Sequence, residues 1–409
     1  MSGRSSICVI CKGTKGLCGL RECPLLARSR GVFKAYSSVV EKLDIAAPSP
    51  PSAIVGEREY PLVPLIYNIV PESGIENASL YDNPKLWHGR LGLKEIVELR
   101  SSLLGGILRV SVSDPWKLYE KEISLAAVSL SPIETEARFR RPPTLKLSFD
   151  TVLRPNGLLS PAEKIKINSS PKLDKNLERM IWDDVLAKDA LVELFLKGTD
   201  VYLLERALSL GLLGKRNNKK LVPTRWAITA VDDTISEFIK RKIQEFKVIN
   251  EINVFSGEYL YNKFVIVLIP GTYEGAWIEI WHPKSIWAMN SSEAEVMISV
   301  DTIRGGPLPP DGGFSAARLG VLEYLFNKRK TAKFIIIREV FPEYIVPVGN
   351  WHIRETVRNA LKSTPTTVAD YNELANVVEP KINSKVGVNL FKEMLKKMIS
   401  QKSILDYLP

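Results

Sequence analysis

All four cysteines of this chain lie within sixteen positions near its amino terminus. They follow the spacing Cys-x2-Cys-x6-Cys-x4-Cys and are Cys8, Cys11, Cys18 and Cys23. Thiolates are soft ligands that suit Zn²⁺, and a glycine soon after a ligand permits the tight turns of such sites. Four protein ligands leave no open position for water, so we expect a small structural zinc knuckle over residues 1–30 rather than a catalytic metal.

Two alternatives to zinc remain open for these cysteines. An iron–sulfur cluster is also held by four thiolates. Two disulfides would require an oxidising compartment, and no apolar signal segment precedes Cys8. A metal analysis separates the three.

Near the end of the chain, Gln401, Ile404, Tyr407 and Leu408 have the spacing Gln-x-x-Ile-x-x-Tyr-Leu. One helical turn gathers the three apolar side chains into a plug, and Gln401 can hydrogen-bond at its rim. Polymerases and repair proteins bind the sliding clamp PCNA with this pattern. We therefore expect residues 400–409 to be a flexible tail that orders on PCNA.

The tail also permits another interpretation. Phe391, Leu395, Met398, Leu405 and Leu408 have the spacing of one amphipathic helix packed on the body of the protein. Leu408 also stands where the commonest clamp motif has a second aromatic residue, which reduces the buried area. We expect weakened but not abolished clamp binding.

Composition favours a globular protein with a phosphate-rich partner. The 409 residues are 45% hydrophobic, enough for one large or two ordinary domains, and the formal net charge is +10. No apolar stretch is long enough to span a membrane. We expect a soluble, cytoplasmic, nucleoid-associated protein that binds DNA and not membranes. The basic residues form three patches: Arg4, Lys12, Lys15, Arg21, Arg28 and Arg30; Lys215, Arg216, Lys219 and Lys220; and Lys328, Arg329 and Lys330.

Several arginines in the middle of the chain are candidate nucleotide or DNA contacts. Flat aromatic rings beside guanidinium groups suit stacked bases and phosphates, and Gly312-Gly313 before a helix could present amides to a phosphate. The candidates are Arg225, Trp226, Arg318, Arg338 and Arg354. The alternative is structural: Trp351 packs inward and Arg354 and Arg358 pair with nearby glutamates.

No catalytic residue can be assigned from the sequence. His88, His282 and His352 lack the spacing of a metal pair or a triad, and no Walker loop occurs. Asp232 and Asp233 precede Thr234-Ile-Ser-Glu237, the spacing of a capping box, so we interpret them as part of a helix start.

Apolar periodicity predicts both strands and helices. The predicted strands are 62–70, 107–112, several over 252–280 with Gly257 as a hairpin turn, and 334–337, whose end at Arg338 and Glu339 emerges at a surface or site. The predicted helices are 93–104, 182–197, 202–213 and 314–327. Residues 155–171 are predicted to be a long loop. The class is α+β or mixed α/β: a large mixed-sheet body with helical hairpins.

Four blocks of residues resemble the archaeal NreA family of DNA repair proteins. The first reads Lys-Lys-Leu-Val-Pro-Thr-Arg-Trp-Ala-Ile-Thr-Ala-Val-Asp-Asp over residues 219–233, and the others are residues 312–325, 338–347 and 351–358. The resemblance covers nearly the whole chain. It implies an Nre amino-terminal region at 31–290 and an Nre carboxy-terminal region at 291–399, between the zinc knuckle and the PCNA-binding tail.

Two functional hypotheses follow. The resemblance and the tail imply a DNA damage repair factor recruited to PCNA, with structural zinc and direct DNA contact. The alternative is a nucleotide- or NAD-using enzyme that acts on DNA, similar to an ADP-ribosyltransferase, with a site built from arginines and a glutamate. A deep pocket that joins Arg318 and Arg338 would favour the enzyme, whereas ion pairs would favour the adaptor.

Overall fold

A computed structural model describes residues 24–71, 74–144, 157–289, 291–306, 311–344 and 346–400. The chain folds into two compact units. In the described residues, the first comprises 24–235 with 346–348, and the second comprises 236–344 with 349–400. Both units combine helices with a β-sheet, so the predicted α+β class is confirmed.

The first unit is built around a sheet that has six strands in the part of the chain described. These are β1 Asp44–Ser49, β2 Ala53–Val55, β3 Leu62–Ile69, β4 Leu104–Ser111, β5 Ile133–Phe139 and β6 Leu158–Ile167. Their order is β1-β5-β6-β4-β3-β2, and every pair is antiparallel except β4 with β6. Buried and exposed residues alternate strictly along β5, as in a strand with one face on a core and the other in water.

The helices of the first unit are mostly short. They are α1 Pro24–Val39, α2 Ile75–Ala78, α3 Pro84–Trp87, α4 Leu93–Ser101, α5 Trp116–Glu120, α6 Ile123–Ala127, α7 Lys175–Trp182, α8 Ala187–Leu196 and α9 Val201–Ser209, with 3₁₀ turns at Ser79–Asp82 and Arg216–Asn218. Asp174 caps α7 and Asp200 caps α9 through hydrogen bonds to backbone amides. The predicted helical hairpin corresponds to α8 and α9, but Trp182 is the last residue of α7.

The predicted loop over residues 155–171 is wrong, because β6 occupies Leu158–Ile167. The strand was missed because it contains Pro161, and proline cannot donate a hydrogen bond to a neighbouring strand. It is tolerated because it lies where β6 changes partners: Pro161 is the last residue paired with β4, and the pairing with β5 shifts register at Phe139 and Ala162. Proline is compatible with such an irregularity.

The second unit contains a mixed six-stranded sheet within the described residues. Its order is β11-β10-β13-β9-β8-β14, with β10 and β13 parallel and the other pairs antiparallel. The strands are β8 Ile252–Tyr259, β9 Asn262–Ile269, β10 Glu274–Trp281, β11 Glu295–Thr302, β13 Lys333–Val340 and β14 Thr366–Val368. A separate ribbon pairs β7 Lys247–Val248 with β12 Lys330–Thr331.

Helices cover both faces of this sheet. The helices are α10 Thr224–Lys242, α11 Gly312–Lys328, α12 Trp351–Ala360, α13 Tyr371–Val378 and α14 Lys385–Ser400, with 3₁₀ turns at Ile243–Glu245 and Glu379–Lys381. Alternate residues of β13, such as Ile335 and Ile337, form one core with apolar residues of α13 and α14, including Phe391. On the other face, Trp277 stacks on Phe314 of α11. Because both faces are covered, β13 is a near-continuous apolar run.

The hairpin of β8 and β9 turns at a different place from the one predicted. Gly257 lies inside β8, and the two-residue turn is Leu260-Tyr261, both with positive φ. Gly257 has another role: a Cβ there would lie 3.0 Å from Cβ of Ala360 on α12, a tight contact. The glycine therefore marks a close approach of a helix and not a turn.

The predicted capping box at Thr234 is also wrong. Thr234 lies in the middle of α10, which begins ten residues earlier, directly after Pro223. The chain passes from the first unit to the second inside this helix, between Ile235 and Ser236. Asp232 and Asp233 are therefore residues of a helix interior.

Among the described residues, no helix is both long enough and apolar enough to cross a membrane.

Candidate functional site

Two of the predicted sites lie outside the described residues. These are the zinc ligands Cys8, Cys11, Cys18 and Cys23 and the clamp motif of Gln401, Ile404, Tyr407 and Leu408. Within the described ranges, no group of three or more His, Cys, Asp or Glu residues could hold a metal ion. Both predictions therefore remain predictions.

Helix α14 leads directly to the tail, and its last described residue is Ser400. Phe391, Leu395 and Met398 belong to the core of the second unit. This part of the packed-helix interpretation is confirmed. Leu405 and Leu408, the remaining residues of that interpretation, lie outside the described part of the chain.

Arg338 lies at the centre of a buried polar group in the second unit. Register places Glu279 of β10 directly opposite Arg338 of β13, and the two side chains form an ion pair. Arg338 Nε and Nη2 donate to Oδ1 of Asn262, at 2.9 and 2.6 Å. The guanidinium carbon also lies 5.4 Å from the ring centre of Trp281. The residue is 4% exposed, so the predicted emergence of this strand end at a surface is wrong.

His352 completes this group and is a residue to which the sequence assigned no role. Its Nδ1 lies 2.7 Å from the carbonyl oxygen of Gly349, and its Nε2 lies 3.2 Å from Nη2 of Arg338. A carbonyl oxygen can only accept, so we assign the proton to Nδ1 and the acceptor role to Nε2. With these roles, His352 accepts from Arg338 and helps to hold its guanidinium in place.

Glu339, the next residue along β13, points to the opposite face of the sheet. Its carboxylate accepts hydrogen bonds from the amides of Asn383 and Ser384, at 2.9 Å each, just before α14 begins. Its Oε1 lies 3.0 Å from Nε2 of His282. Glu339 thus satisfies amides at the start of a helix. Consecutive charged residues have separate structural roles because side chains alternate across a strand.

Arg318 of α11 belongs to a second buried group of charges. Its Nη1 donates to Asp301 at 2.5 Å and to Glu237 at 3.2 Å. Lys240 lies 3.4 Å from Asp301 and 2.7 Å from Glu237. Tyr273 donates to Asp301 at 2.6 Å, and burial raises the pKa of its hydroxyl well above the usual value. Two cations are balanced by two carboxylates.

The arginines of α12 are also embedded in the second unit. Arg354 is fully buried. Arg358 forms a bidentate pair with Glu323 of α11, at 2.7 Å for both bonds, and a further 2.7 Å bond with Glu355. The structural interpretation of this helix is thus confirmed for Trp351, which is packed inward, and for Arg358, which pairs with glutamate. The amide of Gly313 donates to the capping residue Asp311, which favours a helix cap over a phosphate site.

Arg225 and Trp226 differ from the other candidates, because both are exposed in the first unit. They lie in the first turn of α10, and Trp226 is 59% exposed. Arg225 lies 3.9 Å from Glu57 in a surface ion pair, which contributes little to stability. Of the five predicted contacts, these two are on a surface and the three others are buried in the second unit.

A group of aromatic residues in the first unit, which sequence reasoning missed, is also partly exposed. Trp116 of α5 stacks on Trp182 of α7 with ring centres 5.7 Å apart and an interplanar angle of 23°. Tyr119 meets both indoles edge-on, at 5.5 and 5.3 Å. Nζ of Lys219 lies 5.0 Å from the ring centre of Trp116. We call Trp116, Tyr119, Trp182 and Lys219 the aromatic–lysine cluster.

Lys219 is the buried member of the cluster, at 5% exposure. Its ammonium donates to the carbonyl of Ile181, in the last turn of α7, where cations are favoured. Burial, together with the nearby Arg216, lowers its pKa. Lys215, Arg216 and Lys220 around it are exposed, and we call residues 215–220 the basic loop.

Sequence signals for this cluster were weak. Trp116 and Tyr119 have helical spacing, and Lys219 was noted in a basic patch. Trp182, however, lies 66 positions from Trp116, and only the fold brings the two together.

Comparison with known proteins places these features in a family. The family described as "Archaeal Nre, N-terminal" matches residues 17–288, and "Archaeal Nre, C-terminal" matches residues 304–407. The DNA repair protein NreA of Archaeoglobus fulgidus is 36% identical over 390 residues, which cover 92% of this chain and 94% of that protein.

Two further relatives support the assignment. The DNA repair protein NreB of Archaeoglobus fulgidus is 31% identical over 98% of this chain and 100% of its own length. The DNA repair protein NreA of Haloferax volcanii is 31% identical over 76% of this chain and 77% of its own length. No solved structure matches the chain. The resemblance of the four residue blocks is thereby confirmed, and the chain belongs to the archaeal Nre family.

Proposed function

We propose that this chain is a DNA repair factor that is recruited to the sliding clamp PCNA by its carboxy-terminal motif. The observation that carries the proposal is the match of nearly the whole chain to relatives named DNA repair proteins. The clamp motif adds the partner. It begins directly after α14, whose apolar residues are already used in the core of the second unit, so the four motif side chains are a distinct set.

Zinc is the second part of the proposal. The donor set of Cys8, Cys11, Cys18 and Cys23 offers four thiolates, which suit a closed tetrahedral site. The ion would supply folding energy to residues 1–30 and no chemistry. Direct contact with DNA is the third part, and the net charge of +10 supports it.

The buried arginines favour this adaptor over the enzyme alternative. Arg318 and Arg338 are 1% and 4% exposed, and carboxylates neutralise both. A residue that binds a nucleotide phosphate must reach the ligand with its charge available. These side chains have the role of structural ion pairs, so we propose no reaction for them.

Calorimetric titration of PCNA from the same organism tests the proposal. The intact chain is expected to bind with a Kd on the order of 1 μM, and Tyr407→Ala should abolish measurable binding. Tyr371→Ala is the matched control, since Tyr371 is an exposed tyrosine of α13 outside the motif. Absence of binding by the intact chain would reject recruitment to the clamp.

A truncation separates the motif from the packed-helix interpretation. Removal of residues 401–409 should abolish PCNA binding and leave the free energy of unfolding in urea nearly unchanged. A loss above about 2 kcal/mol, the scale of a buried leucine, would show instead that the tail packs on the body.

A further inference from the structure

We propose that the aromatic–lysine cluster binds an unpaired base of single-stranded DNA, and that the basic loop holds the adjoining phosphates. The inference rests on the proposed role in DNA repair and specifies which part of the DNA the chain contacts. The aromatic residues of this site were not among the contacts predicted from the sequence, whereas Lys215, Arg216, Lys219 and Lys220 formed one of its basic patches.

The exposed indole of Trp182 provides the stacking surface. Trp182 is 52% exposed although one of its faces lies against Trp116. Tyr119 packs edge-on against both rings and fixes their orientation. A half-exposed indole that is already held by its neighbours can accept a base with little further loss of side-chain freedom, and every base has a face that stacks. A base on Trp182 would extend the stacked pair of Trp116 and Trp182.

The basic loop supplies the charge that a phosphodiester requires. Lys215, Arg216 and Lys220 are exposed, and within the described residues no carboxylate lies at ion-pair distance from them. The loop is anchored beside the aromatic rings at two points. Lys219 bonds to Ile181 under Trp116, and the amide of Arg216 donates to Asp184 at 2.8 Å. The cations are therefore held near the stacking surface.

Stacking favours a single strand over a duplex, and carboxylates near the cluster limit how many phosphates it can hold. Glu178 acts on Tyr119, and Asp183 and Asp184 act on Lys219 through their charges. A single strand can follow the basic loop alone, and its bases are available for stacking, whereas paired bases are not.

A protein ligand would fit the observations less well. An apolar or proline-rich segment could cover Trp182, but it would leave three exposed cations without a partner. An unpaired nucleotide meets both requirements, since it carries a flat ring and a phosphate on one residue.

The test is fluorescence anisotropy of the full chain with a labelled oligothymidine of about 15 nucleotides, beside a duplex of equal length. Trp182→Ala should weaken single-strand binding roughly tenfold, the effect of losing one stacked base, and Trp182→Phe should restore most of it. Trp287→Ala is the matched control, because Trp287 is 58% exposed and lies in the second unit. Unfolding in urea checks that each variant is folded.

Each outcome is decisive. Selective loss in Trp182→Ala, with normal binding by Trp287→Ala, would support the inference. Equal binding by Trp182→Ala and the intact chain, or no binding of single strands by the intact chain, would overturn it. PCNA titration of the same variants keeps the two proposals distinct: unchanged clamp binding leaves recruitment intact, and clamp binding lost in Trp182→Ala would assign the cluster to a protein partner and overturn the inference.

Discussion

Asp301 shows how single residues hold the second unit together. It is 2% exposed and accepts hydrogen bonds from Arg318, Lys240 and Tyr273. A buried charge is costly unless several donors surround it, and removal of one member leaves the others uncompensated. The group therefore behaves as a unit, and substitution of its shared carboxylate is expected to destabilise it most.

We predict that Asp301→Asn lowers the free energy of unfolding by about 3–5 kcal/mol, because two buried cations then share only Glu237. Asp44→Asn is the control. Asp44 forms an exposed pair with Arg138 at 3.8 Å, and its loss should cost less than about 1 kcal/mol. Urea unfolding measures both. Equal effects would show that the buried group is not stabilising.

Asp200 gives a prediction for pH. Burial raises its pKa, but the combined effects of Lys85 and the amide of Tyr202, which lower it, are larger. The pKa of Asp200 therefore falls below the ordinary 3.8. A carboxylate whose folded pKa is lowered stabilises the protein above the unfolded pKa and loses that contribution as pH falls through the folded value. The stability difference between the native chain and Asp200→Asn should be full at neutral pH and shrink below pH 3.8.

The control for this prediction is Lys85→Met. It removes the ammonium that pairs with Asp200, so the pH-dependent part of the difference should become smaller in that background. Urea unfolding between pH 3 and pH 7, roughly the range in which carboxylates titrate, provides the data. A difference that grows towards low pH would mean that the sign is wrong.

At the scale of elements, the packing of α1 on α4 depends on a glycine. A Cβ on Gly31 would lie 2.3 Å from the carbonyl oxygen of Glu98 and 2.9 Å from Cβ of Ser101. The first atom belongs to the backbone of a helix and cannot move aside. Close contact between the two helices therefore excludes every other residue at this position.

We predict that Gly31→Ala destabilises the first unit by about 1–3 kcal/mol, although alanine favours a helix by about 1 kcal/mol over glycine. The clash with Glu98 exceeds the gain in propensity. Ser37→Ala, at an exposed position of the same helix, should stay within about 0.5 kcal/mol. If Gly31→Ala were stabilising in urea, the helices would have room to separate.

The elements also show where sequence reasoning succeeds. Helices α4 and α11 and strand β3 were predicted nearly to their ends, because each has an unbroken apolar pattern. Strand β13 was predicted only over residues 334–337, because the charged Arg338 and Glu339 end its apolar run. Errors occurred where a local signal had another cause. Pro161 lies at a change of strand partner, Gly257 answers the approach of α12, and Leu260-Tyr261 form a turn without the glycine or asparagine that such turns usually contain.

The candidate site was less predictable than the fold. Arg318 and Arg338 were selected for their chemistry, but no local pattern reveals their carboxylate partners. Strand register sets Glu279 opposite Arg338, and Asp301 of β11 meets Arg318 of helix α11 only in the folded unit. Trp182 was missed because its partner Trp116 is distant in sequence. Spacing predicts sites at the two chain ends instead, where the proposed ligands and anchors are close together along the chain, and both remain predictions.

For the whole molecule, we predict that metal binding at the amino terminus can be removed without unfolding the body. Cys11→Ser should release the zinc, since a structural site needs all four ligands, and should leave the urea unfolding of residues 24–400 nearly unchanged. Elemental analysis measures the metal, with Ser6→Ala as control. A full metal complement in Cys11→Ser would show that the ligand set is wrong. Iron in place of zinc would show that the assignment of the ion is wrong.

The buried charges of the second unit also have a consequence for temperature. The pair of Arg338 with Glu279 and the group around Asp301 are both removed from water. Hydration of ions becomes less favourable on heating, so the cost of keeping them dry falls while hydrophobic stabilisation levels off. These groups therefore contribute more at high temperature than at room temperature. We therefore expect the free energy of unfolding of the second unit to fall less steeply with heating than it would without these groups.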